Sequence, residues 1–112
     1  MGKKVIVYEA DVLKDIMLTL KAFDILFTRN NVGAVKIRTN QFYRFGTPGW
    51  SDIIGMAHDG RFLAIEAKRP GGKLSENQKV FLERVNSENG IGIVVDNIES
   101  LFRQLKERKV IN

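Results

Sequence analysis

Asp52, Glu66 and Lys68 have the types and the spacing to act on a phosphodiester bond. Between Asp52 and Glu66 lies His58-Asp59-Gly60. As a three-residue hairpin loop with Gly60 left-handed, this segment pairs Ala57 with Arg61 and, counting back, Asp52 with Glu66. Directly opposed residues project from one face with Cβ atoms about 5 Å apart. Carboxylates that close repel unless a proton or a cation intervenes. Lys68 is two residues past Glu66 and shares its face. A two-residue Asp59-Gly60 turn would instead set Asp52 opposite Ala67. Hydrolysis of a phosphodiester needs a nucleophilic water at neutral pH and neutralisation of charge around phosphorus. Hard oxygen ligands hold Mg²⁺, which acidifies bound water and draws charge from phosphate oxygens. A neighbouring lysine can orient that water or stabilise the transition state.

The elements that must hold these groups follow from periodicity. Residues 8–22 read as a helix, with Leu13, Ile16, Leu20 and Phe23 on one inward face. Glu9, four residues before Leu13, belongs to that face. Residues 25–29 and 34–39 read as strands around a turn at Asn30-Asn31-Val32-Gly33. Residues 50–56 and 61–68 form the hairpin arms. Residues 75–88 read as a helix opened by a Ser75/Gln78 capping box, with Leu82 and Val85 inward. Residues 91–95 are wholly apolar, as in a strand covered on both faces. Residues 98–109 close the chain as a helix with Ile98, Leu101, Phe102 and Leu105 inward. The expected order is α, four strands, α, β, α: a mixed sheet flanked by helices, in one α/β domain spanning residues 1–112.

Composition narrows the chemistry. The 112 residues include no cysteine and one histidine, which excludes disulfide frameworks, cysteine nucleophiles and thiolate metal sites. The formal charge of +5 favours an anionic partner, nucleic acid first. No apolar run approaches the roughly 18 residues of a membrane span. The basic start Met1-Gly2-Lys3-Lys4 precedes too short an apolar stretch for a signal peptide, so an intracellular location is expected, host cytoplasm for a viral or phage protein.

Around the carboxylates the sequence reads Gly46-Thr47-Pro48-Gly49-Trp50-Ser51-Asp52, then Asp59-Gly60-Arg61-Phe62-Leu63-Ala64-Ile65-Glu66-Ala67-Lys68, then Gly72-Lys73-Leu74-Ser75-Glu76-Asn77-Gln78. This resembles the virus-type replication-repair nuclease (VRR-NUC) domain of the PD-(D/E)XK superfamily, from Glu9 to about Asp96, with Arg29-Asn30-Asn31-Val32-Gly33-Ala34 matching the segment after the first helix. The resemblance implies a restriction-endonuclease-like core and Mg²⁺- or Mn²⁺-dependent cleavage of DNA chosen by structure rather than sequence. It implies Asp52 and Glu66 as metal ligands, Ala67 as a ligand through its carbonyl, and Lys68 as the catalytic lysine. Glu9 corresponds to the helical acid that reaches the metal, and Gln78 to a site glutamine opening the next helix. The superfamily's proline before the first aspartate is Ser51 here. Small stand-alone members resemble Holliday-junction resolvases in forming dimers, so a homodimer acting on branched DNA such as four-way junctions is expected.

Each assignment has a plainer competitor. Glu9 suits the first turn of a helix through the dipole alone. The capping box accounts for Gln78 without any catalytic role. Lys36, Arg38, Arg44, Arg69 and Lys73 could line a phosphate track or be solvated surface charges. Alternation puts Lys36 and Arg38 on one strand face. The rings of Gln41-Phe42-Tyr43-Arg44-Phe45 are expected in the core or in a dimer contact rather than against bases. The rival function is a non-catalytic nucleic-acid-binding or interaction module on the same fold.

Overall fold

The computed structural model describes residues 5–112. The basic start Met1-Gly2-Lys3-Lys4 lies outside the described residues. The elements run α1 (Glu9–Ala22), β1 (Leu26–Arg29), β2 (Gly33–Arg38), β3 (Gln41–Phe45), β4 (Ile53–Met56), β5 (Phe62–Ala67), α2 (Glu76–Ser87), β6 (Ile91–Val95) and α3 (Ile98–Glu107). A four-stranded sheet has the order β1-β4-β5-β6; the first three strands are antiparallel and β6 is parallel to β5. The architecture is therefore the mixed, helix-flanked α/β sheet read from the sequence. The parallel pair requires a crossover, which α2 supplies.

Alternation along β5 separates two cores. Leu63, Ile65 and Ala67 face α1 and α3, in a cluster with Leu13, Ile16, Leu20, Leu101 and Leu105. Ala64 faces α2 and packs with Leu82 and Val85. Gly92 of β6 lies beneath α2 so closely that an added Cβ would stand 2.8 Å from the Leu82 carbonyl oxygen. Two apolar residues expected inward are not. Phe23 follows the last turn of α1, where Asp24 takes a positive φ of 54°, and its ring sits at the surface edge-on to Phe102. Ile98 opens α3 beyond the sheet edge and is exposed. Phe102 is half-buried, while Leu101 and Leu105 are fully covered.

The expected order contained one strand too few. Gln41–Phe45 folds back onto β2 as a separate two-stranded ribbon. Its rings are not in the core: Phe42 is 57% and Tyr43 60% exposed. The ribbon packs almost wholly on itself and stands away from the sheet. The radius of gyration is 15.6 Å, against about 13 Å for a compact domain of this length. The register shifts between Lys36 and Arg38, so that Lys36 opposes Phe42 but Arg38 opposes Gln41. Phe42 and Gln41 point to opposite faces. The shift therefore separates the two cations that simple alternation places together.

Candidate active site

The hairpin that carries the carboxylates has the three-residue loop. Ala57 N–H donates to the Arg61 carbonyl (2.9 Å), Gly60 N–H to the Ala57 carbonyl (2.9 Å), and Gly60 has φ +91°. The ladder pairs Met56 with Phe62 and Ile53 with Ile65, so Asp52 falls opposite Glu66, one step past the last paired residues. Asp52 closes the end of the sheet with its side chain: Oδ2 accepts the Ala67 N–H at 2.8 Å. A strand residue's C=O lies along the same edge as its N–H, so the Ala67 carbonyl is directed to the Asp52 side of β5.

Glu66 is 2% exposed. Its Oε1 accepts from Gln78 Nε2 at 3.1 Å, whereas its Oε2 is buried without a hydrogen-bond partner. Burial, followed by the neighbouring Asp52 carboxylate, pushes the Glu66 carboxyl up to about 8, and Lys68 offsets this only in part. Gln78 caps α2 and also reaches Glu66. Its Oε1 accepts the Ser75 N–H (2.9 Å) in the capping box, while its Nε2 holds Glu66. The cap, which contributes about 1 kcal/mol, is also what aims the amide at the carboxylate.

Lys68 is mostly covered and its Nζ lies 3.7 Å from Glu9 Oε1. Glu9 is half-exposed at the rim of the sheet rather than inward, because the inward stripe of α1 starts one turn later with Val12 and Leu13. Its carboxylate faces Lys68. Among the described residues no group of three or more His, Asp or Glu is set to hold a metal. The oxygens that could hold a cation are those of the Asp52 and Glu66 carboxylates, with the Ala67 carbonyl on the same side. They fit a hard divalent cation: an orphaned buried carboxylate oxygen and a second acid against it are stabilised by positive charge.

One positioning residue went unread. Asn30, which the sequence suggests only as part of a turn, clamps the segment leading to Asp52. Its Nδ2 donates to the Thr47 carbonyl (2.9 Å) and the Ser51 carbonyl (3.2 Å), its Oδ1 accepts the Thr47 N–H (2.8 Å), and its own N–H donates to the Asp52 carbonyl (2.7 Å). Ser51, in the proline position of the motif, is buried and donates its hydroxyl to the Ile53 carbonyl (2.8 Å). Asn30→Ala frees three of these bonds and is expected to cost about 2 kcal/mol and to weaken Mn²⁺ binding at Asp52. Paired denaturation and calorimetric titrations check both effects. An unchanged Mn²⁺ affinity would show that Asp52 is held without the clamp.

The candidate phosphate-binding cations are dispersed. Lys36, Arg38 and Arg44 ride on the ribbon, whereas exposed Arg69 and Lys73 flank the turn Arg69–Gly72 that links Lys68 to α2. None of the five has an ion-pair partner among the described residues. Arg69 and Lys73 are the two that follow Glu66 and Lys68 most closely in the chain.

The VRR-NUC domain family model matches residues 17–97, most of the chain, including Asp52, Glu66, Lys68 and Gln78 but not Glu9. Comparison with curated proteins and with solved structures gave no match.

Proposed function

The chain belongs to the VRR-NUC domain family and is a nuclease-type domain, and from that premise we propose that it is a structure-specific, Mg²⁺- or Mn²⁺-dependent DNA endonuclease that acts as a homodimer on branched DNA, four-way junctions first. The observation that carries this reading is the buried Glu66 set against half-buried Asp52, with Glu66 Oε2 unpartnered and Lys68 alongside. Asp52, Glu66 and the Ala67 carbonyl would hold the cation. The chemistry supplied on binding is polarisation of a phosphate oxygen and acidification of water. Gln78 fixes the rotamer of Glu66 and leaves Oε2 free to ligate. Glu9 holds the Lys68 ammonium at the edge of the site, where it can orient the attacking water or meet the charge that develops on the phosphate oxygens. Arg69 and Lys73 would receive the flanking phosphates, and the ribbon cations Lys36, Arg38 and Arg44 would contact the duplex farther out.

The test is a panel of labelled four-way junction, flap, splayed-arm, duplex and single-stranded DNA with Mg²⁺, Mn²⁺ or chelator. Junction nicking that stops on chelation is expected. Metal-independent binding without nicking would install the rival reading of a non-catalytic binding module. Asp52→Asn is expected to lower Mn²⁺ affinity at least 10-fold, since a neutral amide replaces an anionic ligand while its oxygen can still accept the Ala67 N–H. Isothermal titration with unchanged affinity would remove Asp52 from the metal site.

A further inference from the structure

The rings of the β2–β3 ribbon serve neither core described above. From Ile25 to Ser51 the chain has four cations and no acid, so nearly all of the net charge of +5 resides in this segment. Three of the four, Lys36, Arg38 and Arg44, are exposed on the ribbon without an ion-pair partner among the described residues. Phe42 and Tyr43 are exposed beside them. Pairing assigns each to a face. Lys36 opposes Phe42, and Arg44 lies two residues on, so both cations share the face of the Phe42 ring. Val35 opposes Tyr43, and Arg38 opposes Gln41, two residues before Tyr43, so Arg38 shares the face of the Tyr43 ring. The register shift thus gives each face one exposed ring and at least one cation. The ribbon is also firmly mounted. At its base the Phe45 ring lies over Gly33, where an added Cβ would stand 2.5 Å from Phe45 Cζ. Just beyond, Asn30 binds Thr47 and donates its N–H to the Asp52 carbonyl. Lys36, opposite Phe42, is six residues past Asn30, which sets the Phe42 ring at most roughly 20 Å from this clamp.

We propose that the ribbon is a two-sided wedge for a DNA branch point, stacking Phe42 and Tyr43 on bases exposed to either side while Lys36, Arg38 and Arg44 take the flanking phosphates. The proposal rests on the branched-DNA reading above and deepens it by naming the surface that selects the branch. Charge chooses the partner. Three unpaired cations without an acid match a polyanion, whereas two ribbons meeting each other would set like charges together. Ring chemistry chooses unstacked bases. Groove readout uses side chains that donate and accept hydrogen bonds, whereas a phenyl ring is stabilised by the π-face of a base. In a continuous duplex each such face is covered by the next base pair. A branch point leaves base-pair faces uncovered on more than one side, and a ribbon with a ring on each face meets two of them. Because the ribbon starts from the clamp that holds the Asp52 segment, the branch and a phosphate at Asp52 and Glu66 can belong to one DNA molecule.

Fluorescence anisotropy in chelator, comparing a four-way junction with a continuous duplex, tests this; nicking of the junction by wild type with Mn²⁺ is measured separately. Wild type is expected to bind the junction about 10-fold or more tighter than the duplex. The double variant Phe42→Ala/Tyr43→Ala is expected to bind the junction about 10-fold or more weaker and the duplex within about 3-fold of wild type. Its circular dichroism is expected to be unchanged, because the ribbon packs on itself. Phe42→Leu/Tyr43→Leu is expected to behave like the alanine pair, and Phe42→Trp/Tyr43→Trp like wild type, because stacking needs a ring. Lys36→Ala is expected to weaken both DNAs alike and to lower the salt slope by about 1. Wild type without branch preference, an alanine pair that keeps it or loses both DNAs equally, or a leucine pair with full junction affinity overturns the proposal. An alanine pair that sediments at half the wild-type mass also overturns it, and assigns the rings to a second copy. Wild type that nicks while the alanine pair keeps the branch preference would defeat the wedge and leave the nuclease reading standing. Branch preference that depends on the rings in a wild type unable to nick would do the reverse.

Discussion

Lys68→Ala is expected to lower junction cleavage by roughly 100-fold or more while changing junction affinity less than about 3-fold. The contrast arises from where the ammonium sits. The Lys68 side chain is largely covered, its ammonium is held by Glu9, and it acts electrostatically on Glu66. It is thus a fixed charge beside Glu66, whereas Arg69 and Lys73 are solvated cations of the kind that give phosphate affinity. Losing a half-exposed ion pair contributes at most about 1 kcal/mol to stability, so the variant remains folded. Arg69→Ala is the control, with weaker binding and an unchanged rate at saturation. Single-turnover cleavage and fluorescence anisotropy on one junction separate the two quantities. Wild-type turnover in Lys68→Ala would remove the residue from the mechanism.

Glu66→Gln is expected to stabilise the metal-free protein at alkaline pH and to abolish its response to Mn²⁺. The Glu66 carboxyl is raised from 4.5 to about 8, by burial first and then by Asp52. A raised acid means that the folded protein retains a proton which the unfolded chain has released. The metal-free protein therefore loses stability as pH climbs from about 4.5 to about 8, and levels off above that. The loss is on the order of a few kcal/mol, since each pKa unit between the folded and unfolded chain corresponds to about 1.4 kcal/mol. Glutamine keeps an acceptor for Gln78, offers a donor to Asp52 and carries no charge, so its stability is flat across this window. Mn²⁺ supplies the positive charge that the wild-type pair lacks and raises its melting temperature most at pH 8, an effect absent from the variant. Melting curves from pH 5 to 9, with chelator and with Mn²⁺, test both halves. Wild-type stability that is flat or rising with pH in chelator would contradict a buried Glu66 carboxyl whose Oε2 has no partner.

The legible part of the site was its local part. One loop of stated length sets the register of a hairpin, and a register places Asp52 against Glu66 and Lys68 on the same face, without knowledge of the rest of the chain. The capping box was legible for the same reason, because Ser75 and Gln78 are three residues apart. What was not legible depended on contacts between distant segments. Ser75 and Gln78 spell a cap in the sequence; only the packing of α2 on β5 lets the same side chain also reach Glu66. Asn30 has nothing in its neighbourhood to mark it as a clamp, since its partners lie 17 and 21 residues away. Alternation failed at Arg38 because an irregular register, set by the partner strand, turns the side chain to the other face. Aromatic composition could not say that Phe42 and Tyr43 would stand on a free ribbon rather than in the core.

The amino-acid order by itself determined which residues could be neighbours along a strand, a turn or a helix face, and with them the nuclease motif, because those relations are dictated by backbone periodicity over a few residues. The tertiary structure alone decided which faces were covered. Burial made Glu66 a strained acid, turned Glu9 toward Lys68 and left the ribbon rings bare, because desolvation and long-range charge depend on what the rest of the chain brings alongside.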